Sequence, residues 1–347
     1  MKIKFFLAPL LTLCIAKAAP PPPPGVPDIV DEKIENGLKF LAKGQQDDGN
    51  FKSDLSRRVP GIAALCGMAF LAKGYVPGEG EYGATINKCI DAVIKRQDQW
   101  GYLGGQDGKM YSHSMCTLFL SEVSGMVDPE RQKSIDKLLP RATKIILNAQ
   151  AVAKDGNHKG GWRYNPNSTD SDLSCSGWCL MALRSARLNG APVPVSAIEE
   201  AVNYILRRHN GQTGQFGYQG NGDYSVTLTG AAILCLNLCG QHDNPAIARG
   251  ARYLRSVYTQ LPHQDRCFYG MYYTAQGLFQ YGGEDWDIFS KWMYDYWAPR
   301  QEPGGSWNRN EENGDPFYQT SMVILAFAVP YRQLPIYQRD ETVGEEQ

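Results

Sequence analysis

No cluster of lysine and arginine stands out in this chain, and its charges nearly cancel: 35 basic side chains against 36 acidic ones leave a formal net charge of -1 at pH 7. Such a surface has no field with which to gather nucleic acid or an anionic membrane, so neither is expected as a partner. Several chemical signatures are missing too. There is no P-loop, no G-x-S-x-G elbow, no H-E-x-x-H and no Gly-Cys-Gly-Glu-Gln thioester sequence, which removes the usual routes to phosphate cradling, serine hydrolysis and zincin chemistry. The apolar run at the start, Phe5 to Ile15, is eleven residues long, too short for the roughly 20 residues that a spanning helix needs.

That run follows a basic start, Met1-Lys2-Ile3-Lys4, and precedes Ala16-Lys17-Ala18. The pattern is a secretory signal peptide over residues 1–18, cleaved after Ala18, so the mature chain is expected to be exported, to periplasm or extracellular space, with no membrane span. A proline-rich linker, 19–28, then a single domain, 29–338, and a disordered acidic tail, 339–347, complete the expected organisation. Of nine cysteines, eight remain in the mature chain. Export permits disulfides, yet Cys66, Cys116, Cys175, Cys179, Cys235 and Cys239 sit in apolar helical stretches where a thiol packs as a small hydrophobe, and both readings stand.

What the chain does contain, it repeats. A turn of the form Q-x-x-x-G-x-[aromatic or Leu] occurs at Gln45/Gly49/Phe51, Gln97/Gly101/Leu103 and Gln301/Gly305/Trp307, with a near copy at Asn210/Gly214/Phe216 and a looser one ending Gly160-Gly161-Trp162. Small-residue apolar helices are marked by Pro60-Gly61, Ser114-Met115, Ser176-Gly177, Thr229-Gly230, Thr274-Ala275 and Thr320-Ser321, at intervals of 54, 62, 53, 45 and 46 residues. A period of this size signals a repeat architecture. Between these lie more polar helices, expected near 29–43, 82–96, 134–149, 196–208, 245–257 and 285–297. In the fourth, Ile198, Ala201, Val202, Ile205 and Leu206 form one apolar stripe, the mark of an outer helix. The small-residue set is apolar nearly all round and belongs inside. Asp170, Asp172 and Asp223 are candidate caps, Pro60 and Pro316 fall near first turns, and Gly74, Gly125, Gly190 and Gly240 mark helix ends. Six inner and six outer helices predict an all-α (α/α)6 toroid, with an open superhelix as the competing arrangement.

The Q-x-x-x-G-x-W turns, the Gly-Gly-Trp-Arg-Tyr-Asn-Pro run and the Asp-x-Asp before a Ser-Gly-x-x-Leu helix resemble the prenyltransferase and squalene-oxidase repeat family, which includes squalene–hopene cyclases and protein prenyltransferase β subunits. The resemblance covers nearly all of the mature chain and implies the toroid, with any active site at the rim where inner helices begin. It also implies two sites, each with a departure. Thr169-Asp170-Ser171-Asp172-Leu173 is similar to the D-x-D-D motif that protonates an alkene, with Leu173 in place of the last Asp. Asp170 and Asp172 are thus candidate catalytic acids, or helix caps. Asp265-Arg266-Cys267 resembles the D-x-C-Y zinc stretch, but Gln319 stands where the third ligand, a His, would be, so Asp265 and Cys267 are weak metal candidates and no cofactor is favoured. Candidate ligand-binding residues are Tyr269, Tyr272, Tyr273, Tyr318, Gln319 and Trp178 among the rim aromatics and their neighbours, His113 as an acid/base, and Asp223 as the possible partner of Asp172 in a glycosidase-like carboxylate pair. Three functions remain open: binding of an apolar or isoprenoid-like ligand in the toroid cavity, a terpenoid-type cyclase or transferase using Asp170 or Asp172, and a glycan-active enzyme or binder.

Overall fold

In a computed structural model of the chain, the structure describes residues 20–220, 223, 225–309 and 314–337. The expected signal peptide, 1–18, and acidic tail, 339–347, lie outside the described residues. In chain order the α-helices are α1 (Asp28–Gly44), α2 (Asp54–Arg58), α3 (Gly61–Lys73), α4 (Gly83–Ile94), α5 (Lys109–Val123), α6 (Pro129–Ala151), α7 (Leu173–Leu188), α8 (Val195–Leu206), α9 (Val226–Leu238), α10 (Pro245–Val257), α11 (Cys267–Tyr281), α12 (Gly283–Trp297) and α13 (Pro316–Phe327). The short α2 is not anticipated by the repeat. The inner helices α3, α5, α7, α9, α11 and α13 pack each on the next, and α13 returns to α3, so the ring closes and the open superhelix is excluded. Burial follows the sequence pattern: α3 and α9 are buried along their whole length, whereas α8 buries only Ala201, Val202, Tyr204 and Ile205. No described helix is long and apolar enough to cross a membrane.

The repeated turn is a staple between neighbouring outer helices. Gln45 Nε2 donates to the carbonyls of Gly49 and, on α4, Thr85. Gln97 does the same to Gly101 and to Leu138 on α6, and Gln301 to Gly305 and to Lys33 on α1. The fourth copy belongs to Gln150, which reaches Gly160 and Ala197 across a six-residue-longer loop. The glycine is required on two counts. At Gly49, Gly101, Gly160, Gly214 and Gly305 φ lies between +82° and +101°, and an added Cβ would sit 2.1 to 2.9 Å from an atom of the next outer helix, a position only glycine can occupy at low cost. The residue two further on, Phe51, Leu103, Trp162, Phe216 or Trp307, is wholly buried. Its backbone N–H is accepted by a side chain in the first turns of the following inner helix, Ser176, Thr229 and Thr320, in three repeats, and by Ser56 of the short α2 in the first. This explains why the Ser/Thr dipeptides recur in phase although α7, α9 and α13 begin three or four residues earlier.

The axis of the ring is packed. Trp178 of α7 stacks on Tyr272 of α11 at 5.6 Å between ring centroids and meets Tyr273 edge-on, and all three are at most 1 % exposed. Below them the chain itself makes a floor. Glu122 accepts the Ile336 N–H, Arg184 donates to the Ile336 carbonyl, Gln280 donates to the Tyr337 carbonyl, and the hydroxyls of Tyr272 and Tyr337 are bonded together. All eight cysteines among the described residues are buried free thiols, so in this fold they act as packing groups.

Candidate functional site

At the opposite face, where inner helices begin, the third repeat gathers charge and aromatic rings. Asp172 caps α7: its Oδ1 accepts the Cys175 N–H at 2.8 Å and the Ser174 hydroxyl at 2.6 Å. Its Oδ2 accepts from Arg163 Nη1 at 2.9 Å, and the side chain is 0 % exposed. Burial pushes the carboxyl up from its ordinary range, while the bonds from Ser174, Cys175 and Arg163 pull it back. Asp170, half exposed, meets Arg163 Nε at 3.2 Å and accepts from Gln219. Arg163 lies over the rings of Tyr164 and Tyr218, 4.3 and 5.4 Å from their centroids, and donates to the Tyr218 hydroxyl. Tyr164 and Tyr218 bond to each other, as do Tyr111 and Ser174, and Tyr269 donates to the Ser174 carbonyl.

The structure thus brings Asp170, Asp172 and Tyr269 together, and it adds Arg163, Tyr111, Tyr164 and Tyr218. Arg163 and Tyr164 stand inside the Gly-Gly-Trp-Arg-Tyr run, but their approach to Asp172 depends on a loop fold that the sequence does not display. Other candidates are placed elsewhere or are already occupied. Asp223 does not cap α9, whose cap is Ser225. Its carboxylate instead accepts the N–H groups of Tyr218, Gln219 and Gly220, fixing the loop behind the rim. Trp178, Tyr272 and Tyr273 fill the axis rather than line an opening, because their large rings pack on one another. His113 is wholly buried and takes, in its repeat, the role of the Ser/Thr hydroxyls. Its Nδ1 accepts the Leu103 N–H at 3.0 Å and its Nε2 lies 3.0 Å from the Ala142 carbonyl. Burial lowers its pKa to about 4, so it stands as a neutral bridge with no free nitrogen for acid–base work.

The zinc-like stretch does not fit a metal. Asp265 is exposed while Cys267 is buried, and the Arg309 guanidinium lies 3.4 Å from the Cys267 sulfur. Both ends of the Gln319 amide are spent on the Arg309 backbone, accepting its N–H at 2.7 Å and donating to its carbonyl at 3.1 Å. Among the described residues no three His, Cys, Asp or Glu side chains gather where a metal could be held. Tyr318, half-buried, remains at the rim on α13.

No family model matches the sequence, and neither does any curated protein. Solved structures share the fold. The type II terpene cyclase MstE from Scytonema superposes with a TM-score of 0.60 at 13 % identity, covering 88 % of this chain and 99 % of that one. The GH76A α-1,6-mannanase of Salegentibacter sp. HEL1_6 gives 0.64 at 12 % identity, covering 87 % and 99 %. The chain is therefore similar to both a cyclase and a glycoside hydrolase in shape, and its class is the (α/α)6 toroid that the repeat and the family resemblance imply. At these identities the likeness is one of fold alone.

Proposed function

We propose that this chain is an exported binding toroid whose rim takes a sugar chain, and that it does not protonate alkenes. The observation that carries this is Asp172. A carboxyl with no exposed surface, three donors on its two oxygens and a guanidinium as its ion pair cannot touch a substrate carbon. Asp170, half exposed, meets the same arginine and Gln219 among the described residues rather than a carboxyl with which to share a proton. Around it stand half-buried phenol rings, Tyr111, Tyr164, Tyr218 and Tyr318, with Arg163, Asp170 and Gln219, also half-buried. Flat ring faces beside hydroxyl, amide and ionic groups suit the apolar face and polar edge of a sugar. A polyprenyl chain would need a deep apolar channel, and the axis below is filled.

An apolar or isoprenoid-like ligand is the second reading. It draws on Trp178 Nε1 and Tyr273 OH, two buried polar atoms on the axis without a hydrogen-bond partner, because such orphans mark places where a core has an alternative arrangement or an occupant. The two readings separate on protein purified from its own compartment, with Ala19 as its first residue. We expect saturable binding to at least one oligosaccharide of a broad panel, weakened about tenfold by Tyr164→Ala, as stacking contacts of ~1.4 kcal/mol require. A stoichiometric polyprenyl or hopanoid species in its organic extract would overturn the sugar reading in favour of the second.

A further inference from the structure

One residue of the rim stands in a backbone conformation that its own side chain makes costly. Lys109, the first residue of α5, has a φ of +51°, in the left-handed region where a Cβ crowds the neighbouring backbone. The loop before it uses glycine at its other positive-φ positions, Gly101 and Gly105, so lysine at 109 keeps a cost that glycine would remove. The inner helices α7, α9 and α13 begin differently, on Asp172, Ser225 and Asp315, with φ between -138° and -110°. At α5 the Met110 N–H donates to the Tyr164 carbonyl at 2.9 Å, which fastens the loop of Arg163 and Tyr164 to the residue next to Lys109. Strain of this kind persists only where the surrounding structure imposes it, and it gathers at sites of function.

Lys109 is exposed, and its Nζ lies 5.7 Å from the centroid of the Tyr164 ring. The other cation on that ring, Arg163, lies 4.3 Å from the centroid and is held by Asp170, Asp172 and the Tyr218 hydroxyl. Among the described residues no hydrogen bond or ion pair holds the Lys109 ammonium. Of the two cations, the ammonium is therefore the one able to turn towards an incoming oxygen, and its three N–H donors suit sugar hydroxyls. We infer that Lys109 is a ligand-contacting residue of the rim, its ammonium donating to oxygens of a sugar seated on Tyr164. This contact rests on the sugar reading of the rim. It also gives the strain a use, because a position that binding requires to be lysine is closed to glycine.

A ligand contact and a structural role separate here, because they move binding and stability differently. The full chain from Ala19 is titrated calorimetrically with the oligosaccharide panel, tetrasaccharides of mannose, glucose, galactose, xylose and N-acetylglucosamine included, and the tightest member is carried to the variants. We expect Lys109→Gly and Lys109→Asn each to bind it at least about fivefold more weakly. Lys109→Gly should nonetheless unfold at a urea midpoint equal to or above that of the wild type, since glycine takes this φ without strain. Arg332→Gly removes another basic residue at positive φ, +52°, beside the floor, and should leave binding unchanged. Lys109 variants that bind as tightly as the wild type, while Tyr164→Ala binds weakly, would overturn the contact and leave the rim reading standing. A midpoint for Lys109→Gly well below the wild type would make the lysine structural, and an equal loss of binding in Arg332→Gly would make the effect a general response to relieved strain; either overturns the contact. A wild-type chain that binds no member of the panel overturns the rim reading, and the Lys109 contact falls with it.

Discussion

Asp172 joins three structural tasks in one side chain: it caps α7, orients Ser174 and neutralises Arg163. Asp172→Asn keeps an oxygen for the cap but removes the charge, leaving Arg163 with only the half-exposed Asp170. Breaking a buried pair in this way costs about 3 kcal/mol, so urea unfolding should show a midpoint well below that of the wild type. Asp170→Asn, at a position 44 % exposed on its side chain, should cost less than about 1 kcal/mol. Equal losses at the two positions would contradict the geometry. The capping part of this was legible in the sequence, because an Asp ahead of an apolar helix has one common use. Arg163 as its partner was not, since nothing local marks which of the 35 basic residues the carboxylate will meet.

The staple is the element that makes the ring, and it was readable because its chemistry is local: a carboxamide and, four positions on, a glycine carbonyl. Where that spacing stretches, as from Gln150 to Gly160, the bond survives and the pattern disappears, and for that reason only the end of the fourth turn showed in the sequence. The Gln301 copy differs from the others in what it connects, since its second bond, 2.8 Å to the Lys33 carbonyl, joins the last repeat to the first helix. Removing it in Gln301→Leu forfeits two hydrogen bonds and costs about 1–2 kcal/mol. Gly305→Ala should cost more, about 3 kcal/mol, because a Cβ would lie 2.3 Å from the Asn36 carbonyl oxygen at a φ of +93°. Both should open the ring at its seam. Amide hydrogen exchange in α1 is expected to accelerate in Gln301→Leu, whereas Gln97→Leu, which cuts an interior staple, should leave α1 protected.

Across the whole molecule, two buried groups at opposite ends of α5 oppose each other in their response to acid. His113, near the rim, has its pKa lowered by burial from 6.5 to about 4. The unfolded chain takes up this proton at a higher pH than the folded chain does, so the stability it contributes is full above pH 6.5 and is lost as pH falls towards 4. Glu122, at the floor, has its pKa raised by burial from 4.5 to about 7, against the opposing bonds from Ser185 and the Ile336 N–H. Its contribution runs the other way, full below pH 4.5 and lost as pH rises through 7. Each slope is about 1.4 kcal/mol per pH unit, and between pH 4.5 and 6.5 they cancel, which makes the wild-type profile in that window flatter than either group alone would give. Neither end of this balance is visible in the sequence: His113 reads as an acid/base and nothing local marks Glu122, because it is the closed ring and, at the floor, the chain's own segment from Leu334 to Tyr337 that bury them. Stability measured by denaturant unfolding across that window should therefore tilt in opposite directions in the two single variants. His113→Gln is expected to become more stable relative to wild type as pH falls, and Glu122→Gln as pH rises. The remaining titrating groups are common to all three proteins and subtract out, so two variant profiles that stay parallel to the wild type would show that α5 does not bury both groups at once.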